Sequence, residues 1–313
     1  MHLSPRFGIL WTIEGVILSK VGVIGSSGLL GKAITRVMTR NCPESVVEFT
    51  RSRNSSYSSK TTNLVLLDIL KFEQSLQSLK GLETIFFCNG YGGIDYASEE
   101  ADLCFNSEKR LIEKLLDLDK RIIYFSSNKV CLLQDPTNIV LPPSLHPYLQ
   151  HKRSIETLLR RYPNQTIIRL GKVIHDDFPR YQSWIKDCTN SRSIYIPENA
   201  YYEPVDINFV SEKTFKIYKQ DLSGPFIMQS SDAISYFTSA RIVIQTFFDT
   251  SMYNHLINPV DLEIPLPAIT LDSVYNLGDF LALKGSTSAR VIEMVAKKMR
   301  STKHAIFPSL ERK

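Results

Sequence analysis

A tyrosine and a lysine four residues apart, Tyr148 and Lys152, follow the serine pair Ser126-Ser127 in the middle of the chain. Residues with this spacing on a helix share one face, so the phenol and the ammonium can point into one site. The apolar run Arg121–Phe125 predicts a buried strand that ends at the serines. A strand-end hydroxyl facing such a helix is an arrangement that moves a proton onto or off a carbonyl or alcohol oxygen.

The predicted chemistry depends on the ionisation of the tyrosine. The usual pKa of tyrosine, about 10, makes it a poor proton shuttle at neutral pH, and a neighbouring cation lowers that pKa. We therefore expect Tyr148 to act as the general acid–base, Lys152 to tune it, and Ser127 to hold the substrate oxygen. The alternatives are a Ser127 hydroxyl satisfied by backbone and a Lys152 side chain on a solvated helix face.

A glycine-rich loop stands between the first predicted strand and the first predicted helix. Its glycines are Gly25, Gly28 and Gly31, and Ser27 and Leu29 belong to the same loop. The spacing is typical of a dinucleotide-binding turn, in which glycines allow a tight turn, close approach of a pyrophosphate and close packing of the helix. The phosphates would lie at the helix N-terminus, where free N–H groups and the helix dipole favour negative charge. A turn without a ligand is the alternative.

The end of the second predicted strand indicates which dinucleotide would bind. An acid at this place accepts from a ribose 2′-hydroxyl, whereas a basic residue accommodates a 2′-phosphate. Here Arg51, Ser52 and Arg53 follow Phe49 and no acid does, which favours NADP(H), with NAD(H) as the second choice. Asp68, after the third strand, is placed either to meet the adenine or to cap a helix.

Apolar runs alternate with helical patterns in the first half of the chain, which predicts an α/β fold with a Rossmann-type doubly wound parallel sheet. We expect a nucleotide-binding domain from residues 16–170 with 205–228, and a smaller substrate-binding lobe from 171–204 with 229–313. Residues 1–15 read as an extension that is either disordered or the result of a start codon chosen too early. The predicted elements are strands at 17–24, 46–50, 64–67, 84–88, 121–125, 166–170 and 224–229, and helices at 29–40, 98–117, 148–161, 236–248 and 289–300.

These motifs together resemble the extended short-chain dehydrogenases/reductases of the NAD-dependent epimerase/dehydratase superfamily. The matching pieces also include Ile85–Gly90, Asn106, Ile168–Ile174 and Tyr202–Val210. Within that superfamily the chain is most similar to the sugar-nucleotide-binding group of dTDP-4-dehydrorhamnose reductases. The resemblance implies that Asn89, Gly90 and Asn106 contribute to the cofactor site and that Lys152 also bonds the nicotinamide ribose. It implies a nucleotide-sugar substrate.

Three functions remain open at this point: an NADPH-dependent reductase of a nucleotide-activated keto-sugar, a nucleotide-sugar epimerase with bound NAD, and a nonenzymatic regulatory protein that binds NAD(P). In the resembled superfamily a dehydratase carries an Asp-Glu pair directly after its catalytic hydroxyl residue. Asn128 and Lys129 follow Ser127 here, which argues against dehydration. The Ser/Tyr/Lys set argues against the regulatory protein.

The amino-acid composition indicates which partners and which cell compartment the protein has. With 43% hydrophobic and 22% charged residues and a net charge of +5 without a basic block, the 313-residue chain is expected to be cytoplasmic and to bind neither nucleic acid nor a membrane. Five scattered cysteines favour reduced thiols and no metal site. The resemblance also suggests a homodimer formed through the helix from residue 98 and the helix of Tyr148. Leu111, Ile112, Leu115 and Leu116 are the candidate contacts, although all four could belong to the core of one chain.

Overall fold

The computed structural model describes residues 20–43, 45–51, 63–90, 98–134, 141–143, 145–249, 251–269 and 281–303. Contacts divide the chain into two compact units. The first comprises the chain up to Gly90 together with Leu111–Ile122, and the second comprises the remaining residues. The predicted extension 1–15 lies outside the described residues, as do Ser52 and Arg53.

The first unit is built on four short strands whose side chains are mostly apolar. The strands β1, β2, β3 and β4 are Val21–Ile24, Val46–Thr50, Asn63–Leu66 and Thr84–Phe87, and the helices α1 and α2 are Leu29–Asn41 and Leu76–Lys80, with a 3-10 helix at Ile69–Ser75. The strands lie in the order β4-β1-β2-β3, and every pair is parallel. All residues of β1 and β4 are buried, which explains their unbroken apolar sequences.

Helix α3 (Glu99–Asp117) and strand β5 (Arg121–Ser127) contribute residues to both units. A 3-10 helix, Asn128–Gln134, follows β5, and helix α4 (Leu145–Leu159) precedes β6 (Thr166–Leu170). Strand β5 includes the two serines, as predicted, because Ser126 and Ser127 continue the parallel pairing with Arg169 and Leu170. The serine pair is therefore the end of the strand itself.

The remaining elements of the second unit follow β6. In chain order they are β7 (Lys172–Ile174), α5 (Pro179–Thr189), β8 (Ile194–Pro197), β9 (Tyr201–Tyr202), β10 (Pro204–Asp206), α6 (Ile207–Lys219), β11 (Gly224–Gln229), β12 (Ile234–Ser235), α7 (Tyr236–Phe248), a 3-10 helix (Met252–Leu256), β13 (Ile257–Val260), β14 (Leu281–Lys284) and α8 (Ser288–Lys303). Strands β5, β6, β11 and β14 form a parallel sheet in the order β14-β11-β6-β5. Three two-stranded pairs join β7 to β10, β9 to β12 and β8 to β13.

The α/β fold class with parallel strands and flanking helices is confirmed. The sequence analysis did not predict β14, and it assigned residues 281–284 to the substrate-binding lobe. They pair instead with β11 as part of the parallel sheet. A separate apolar cluster of the second unit is formed by α5, β8, α7 and α8 and contains Trp184 and Tyr181.

Three further expectations concern surfaces and thiols. The proposed dimer contacts Leu111, Ile112, Leu115 and Leu116 are buried in the single chain, so these side chains are not available to a partner. All five cysteines are free thiols. None of the helices in the described part of the chain combines the length and hydrophobicity that a transmembrane segment requires.

Candidate active site

Tyr148 and Lys152 lie one turn apart on α4, on the same side of the helix. The Lys152 ammonium is 5.9 Å from the centre of the Tyr148 ring. The tyrosine is half-buried, whereas the lysine is only 4% exposed. A solvated helix face is therefore not the environment of Lys152.

The Tyr148 ring packs against a small apolar group on α3, formed by Ala101, Cys104 and Phe105. This burial, and next the negative charge of Glu108, raise the pKa of Tyr148 to about 12. The pKa of Tyr148 is thus raised, whereas Lys152 was expected to lower it. At neutral pH the phenol consequently keeps its proton.

The Lys152 ammonium is held by groups on β5 and α3. It donates to the Tyr124 hydroxyl at 2.9 Å and to the Phe125 carbonyl oxygen at 3.4 Å, and it lies 3.7 Å from Oε1 of Glu108. The Tyr124 hydroxyl in turn donates to Glu108 at 2.9 Å. Tyr124 thus links the lysine to a buried carboxylate.

Ser127 is the last residue of β5 and is half-buried. Its Oγ accepts a hydrogen bond from the Lys129 amide at 3.2 Å, which is the backbone contact foreseen as the alternative to a catalytic role. A hydroxyl has two acceptor positions and one proton to donate. The observed bond uses one acceptor position, so the Ser127 hydroxyl retains its proton for donation to an oxygen.

The residues that follow Ser127 are tied into a buried network around Glu203, which is 0% exposed. The Asn128 amide donates to Glu203 and to Gln229, both at 2.9 Å, and the Ile269 amide donates to the second carboxylate oxygen at 2.6 Å. Lys129 Nζ is 3.5 Å from Glu203, and burial lowers the pKa of this lysine, opposed by the Glu203 charge. The positions at which a dehydratase would carry its acid pair therefore support structure here.

The glycine loop is shaped by close backbone contacts at its start. Gly25 has φ 80°, in the left-handed region that favours glycine, and a Cβ there would lie 2.9 Å from the Cys88 carbonyl oxygen. The amides of Gly25 and Ser26 donate to the Phe49 carbonyl oxygen at 3.0 and 3.1 Å. These contacts fix the loop to the end of β2.

The end of the loop is equally intolerant of a side chain. A Cβ on Gly31 would lie 2.7 Å from the Gly25 carbonyl carbon. Gly28 caps α1 in an extended conformation without a side-chain hydrogen bond to the first turn, and Ser27, Gly28 and Leu29 are exposed. The backbone at the start of α1 is thus open to an anionic group.

The residues expected to read the adenosine half lie at the ends of β2 and β3. Arg51 directly follows β2 and is exposed, while Ser52 and Arg53 fall outside the described residues. Asp68 accepts from the Leu70 amide at 3.1 Å and caps the 3-10 helix, which was the alternative considered for it. This bond occupies one carboxylate oxygen.

The remaining expected cofactor residues differ in exposure. Asn89 is half-buried and Gly90 exposed after β4, whereas Asn106 is exposed on α3. The α3 residue that contacts Lys152 is Glu108, two positions further along the chain. Its signal is present in the sequence, because Ala101, Cys104 and Phe105 define the apolar stripe of α3 and Glu108 is an acid on that stripe.

No group of three or more side chains suited to hold a metal ion occurs within the described ranges. The parallel strands, the glycine loop after β1 and the hydroxyl-ended β5 are features of Rossmann-type nucleotide-binding proteins. Residues 21–174 match the model of the NAD dependent epimerase/dehydratase family. Over these residues, which are just under half of the chain, the sequence is similar to that family.

Several solved structures share the fold at low sequence identity. The Bordetella bronchiseptica enzyme WbmH in complex with NAD+ is similar with a TM-score of 0.72 and 14% identity, over 93% of this chain and 99% of its own. The UDP-N-acetylglucosamine 4-epimerase of Methanobrevibacter ruminantium is similar with a TM-score of 0.65 and 13% identity, over 93% and 99% of the two chains. The dTDP-4-dehydrorhamnose reductase of Bacillus anthracis in complex with NADP is similar with a TM-score of 0.63 and 15% identity, over 91% and 98%. No curated protein matched the sequence.

Proposed function

We propose that the protein is an NADPH-dependent reductase of a nucleotide-activated keto-sugar, similar in reaction to the dTDP-4-dehydrorhamnose reductases. The observation that supports this most directly is the placement of Tyr148 and Lys152 one turn apart on α4, with the Lys152 ammonium 5.9 Å from the centre of the Tyr148 ring. A phenol beside a fixed ammonium can donate a proton to a carbonyl oxygen, which is the proton transfer that reduction requires.

The residues fit a nicotinamide dinucleotide. The glycine loop excludes Cβ atoms at Gly25 and Gly31, and it leaves the start of α1 uncapped by any side chain. This combination suits a pyrophosphate, and Arg51 at the end of β2 favours a 2′-phosphate and hence NADP(H). When bound, the dinucleotide supplies the hydride.

The roles of the three polar side chains follow from their chemistry. Tyr148 donates its proton to the substrate oxygen, and Ser127 donates a hydrogen bond to the same oxygen. As the phenolate develops, the positive charge of Lys152 stabilises it. The Tyr124 and Glu108 contacts of Lys152 keep this charge in place.

An NAD-dependent epimerase is the alternative, since the family comprises epimerases and dehydratases as well and one of the similar structures is an epimerase. Dehydration is disfavoured because Asn128 and Lys129, at the acid-pair positions, are bound to Glu203. A nonenzymatic NAD(P)-binding protein would have no use for a buried ammonium beside a tyrosine.

The proposal is tested with the purified protein, NADPH or NADH, and a dTDP-4-keto-6-deoxy sugar. Reduction predicts loss of NADPH absorbance in a one-to-one ratio with consumed ketone, faster than with NADH. Epimerisation predicts NAD retained through purification and turnover without net loss of coenzyme. Tyr148→Phe serves as the matched control. A loss of NADPH absorbance that persists in this variant does not come from this site.

A further inference from the structure

Glu108 is a charged residue at a position where α3 is otherwise apolar. The carboxylate is 0% exposed, and Ala101, Cys104 and Phe105 precede it on the same stripe and are buried. Burying a carboxylate away from water costs free energy unless the carboxylate is paired with a cation and hydrogen-bonded.

Three polar groups from two other elements converge on Oε1 of Glu108. The Tyr124 hydroxyl on β5 donates to it at 2.9 Å, and Lys152 Nζ on α4 lies 3.7 Å away. His151 Nε2, also on α4, lies 3.3 Å away, and the His151 ring stacks on Phe105 at 4.3 Å between centroids. All four side chains are buried.

The two partners on α4 are consecutive in the sequence, and Tyr148 stands one turn before them. The carboxylate therefore meets the helix at the turn that carries the lysine. Tyr148 packs against the same stretch of α3 through Cys104 and Phe105. Glu108 is thus placed on α3 where its charge can act on both Tyr148 and Lys152 of α4.

We propose that Glu108 is a positioning residue for this pair: its buried carboxylate, together with the Tyr124 hydroxyl, fixes the Lys152 ammonium against β5 and determines the charge that Tyr148 experiences. The inference rests on the proposed reductase function in so far as it assigns the pair to proton transfer. The placement of Lys152 and the ionisation of Tyr148 are nevertheless measurable without any substrate.

The sign of the effect follows from the charges around Tyr148. Burial and then the Glu108 charge raise the pKa of Tyr148, because a phenolate close to a carboxylate is disfavoured. Glu108→Gln removes that charge and retains the size of the side chain. The pKa of Tyr148 therefore falls in this variant.

The direct test places a fluorinated tyrosine, which titrates at lower pH than tyrosine, at position 148 and follows its ionisation by fluorine NMR. We expect the midpoint to fall by roughly half a pH unit in Glu108→Gln and to remain near the original value in Glu108→Asp. Equal midpoints in the original protein and in Glu108→Gln would overturn the proposal. The titration is repeated with His151→Gln, where the Glu108-dependent shift persists if the carboxylate and not the imidazole causes it.

A second measurement covers the case in which Glu108→Gln is poorly folded. Unfolding of Glu108→Gln, Lys152→Met and the double variant forms a double-mutant cycle. Either single change leaves a buried charge unpaired, whereas the double change removes both charges. We therefore expect the double variant to raise the unfolding constant by on the order of tenfold less than the product of the two increases in the single variants. Independent, multiplicative effects would show that Glu108 does not fix Lys152.

The catalytic consequence is measured separately in the pH profile of NADPH oxidation. The rate of reduction falls where Tyr148 loses its proton, so Glu108→Gln moves the high-pH limb to lower pH. A shift of the NMR midpoint in a protein that oxidises no NADPH would sink the reductase proposal and leave the positioning role intact. An active reductase whose limb and midpoint are both unmoved would sink the positioning role alone.

Discussion

Tyr148→Phe removes one oxygen atom and keeps the ring that packs on Ala101, Cys104 and Phe105. With a pKa of about 12, only about one phenol in 10⁵ lacks its proton at pH 7, so the general acid is present throughout the neutral range. Loss of a positioned proton donor slows such reactions about 10²- to 10⁴-fold. Because each tenfold is about 1.4 kcal/mol, the variant loses roughly 3–5 kcal/mol of transition-state stabilisation.

The assay follows NADPH absorbance with saturating keto-sugar, and a separate fluorescence titration measures NADPH affinity. We expect the rate constant to fall by at least a hundredfold while the affinity stays within about threefold, because the phenyl ring preserves the packing of α4 on α3. The wild-type rate should decline with rising pH only at the alkaline end, where Tyr148 deprotonates. A variant with a rate within about threefold of the wild type would refute the assignment of Tyr148 as the proton donor.

Three further outcomes are expected. Arg51→Asp should lower affinity for NADP relative to NAD by about ten- to a hundredfold, since a charge-assisted contact contributes roughly 1.5–3 kcal/mol; unchanged relative affinities in binding titrations would make Arg51 a surface residue only. Gly31→Ala should abolish dinucleotide binding, because its Cβ would lie 2.7 Å from the Gly25 carbonyl carbon, and retained binding by calorimetry would contradict this. Arg169→Met should lower the free energy of unfolding by about 3–5 kcal/mol, because it strips the buried Glu156 carboxylate of its bidentate partner at 2.6 and 2.9 Å. Denaturant unfolding with Arg153→Met, an exposed arginine of α4, as the control measures that loss.

Helices and strands could be predicted from the sequence where the pattern of apolar residues coincides with the pattern of buried residues. Strands β2, β6 and β11 and helix α7 have the predicted boundaries, because an apolar run or a helical stripe begins and ends where burial does. Strand β14 could not be predicted. It is four residues long, and its place depends on pairing with β11 and not on a local pattern.

The candidate site divides in the same way. The spacing of Tyr148 and Lys152 is local and indicates a shared helix face. The direction of the Tyr148 pKa is not local, because burial against α3 and the charge of Glu108 both come from a distant part of the sequence. The local spacing alone predicts a lowered pKa for Tyr148, whereas its surroundings in the fold raise that pKa.

The late position of β14 in the chain has a consequence for biosynthesis. Strand β11 pairs with β6 on one side, and within the described residues Leu281–Lys284 cover its other side from Phe226 to Gln229. While a nascent chain has emerged only as far as α7, these residues present unpaired amide and carbonyl groups along an apolar strand, which is a template for pairing with another chain. Synthesis of the chain through Lys284 supplies β14 and closes that edge, which protects the newborn protein from aggregation.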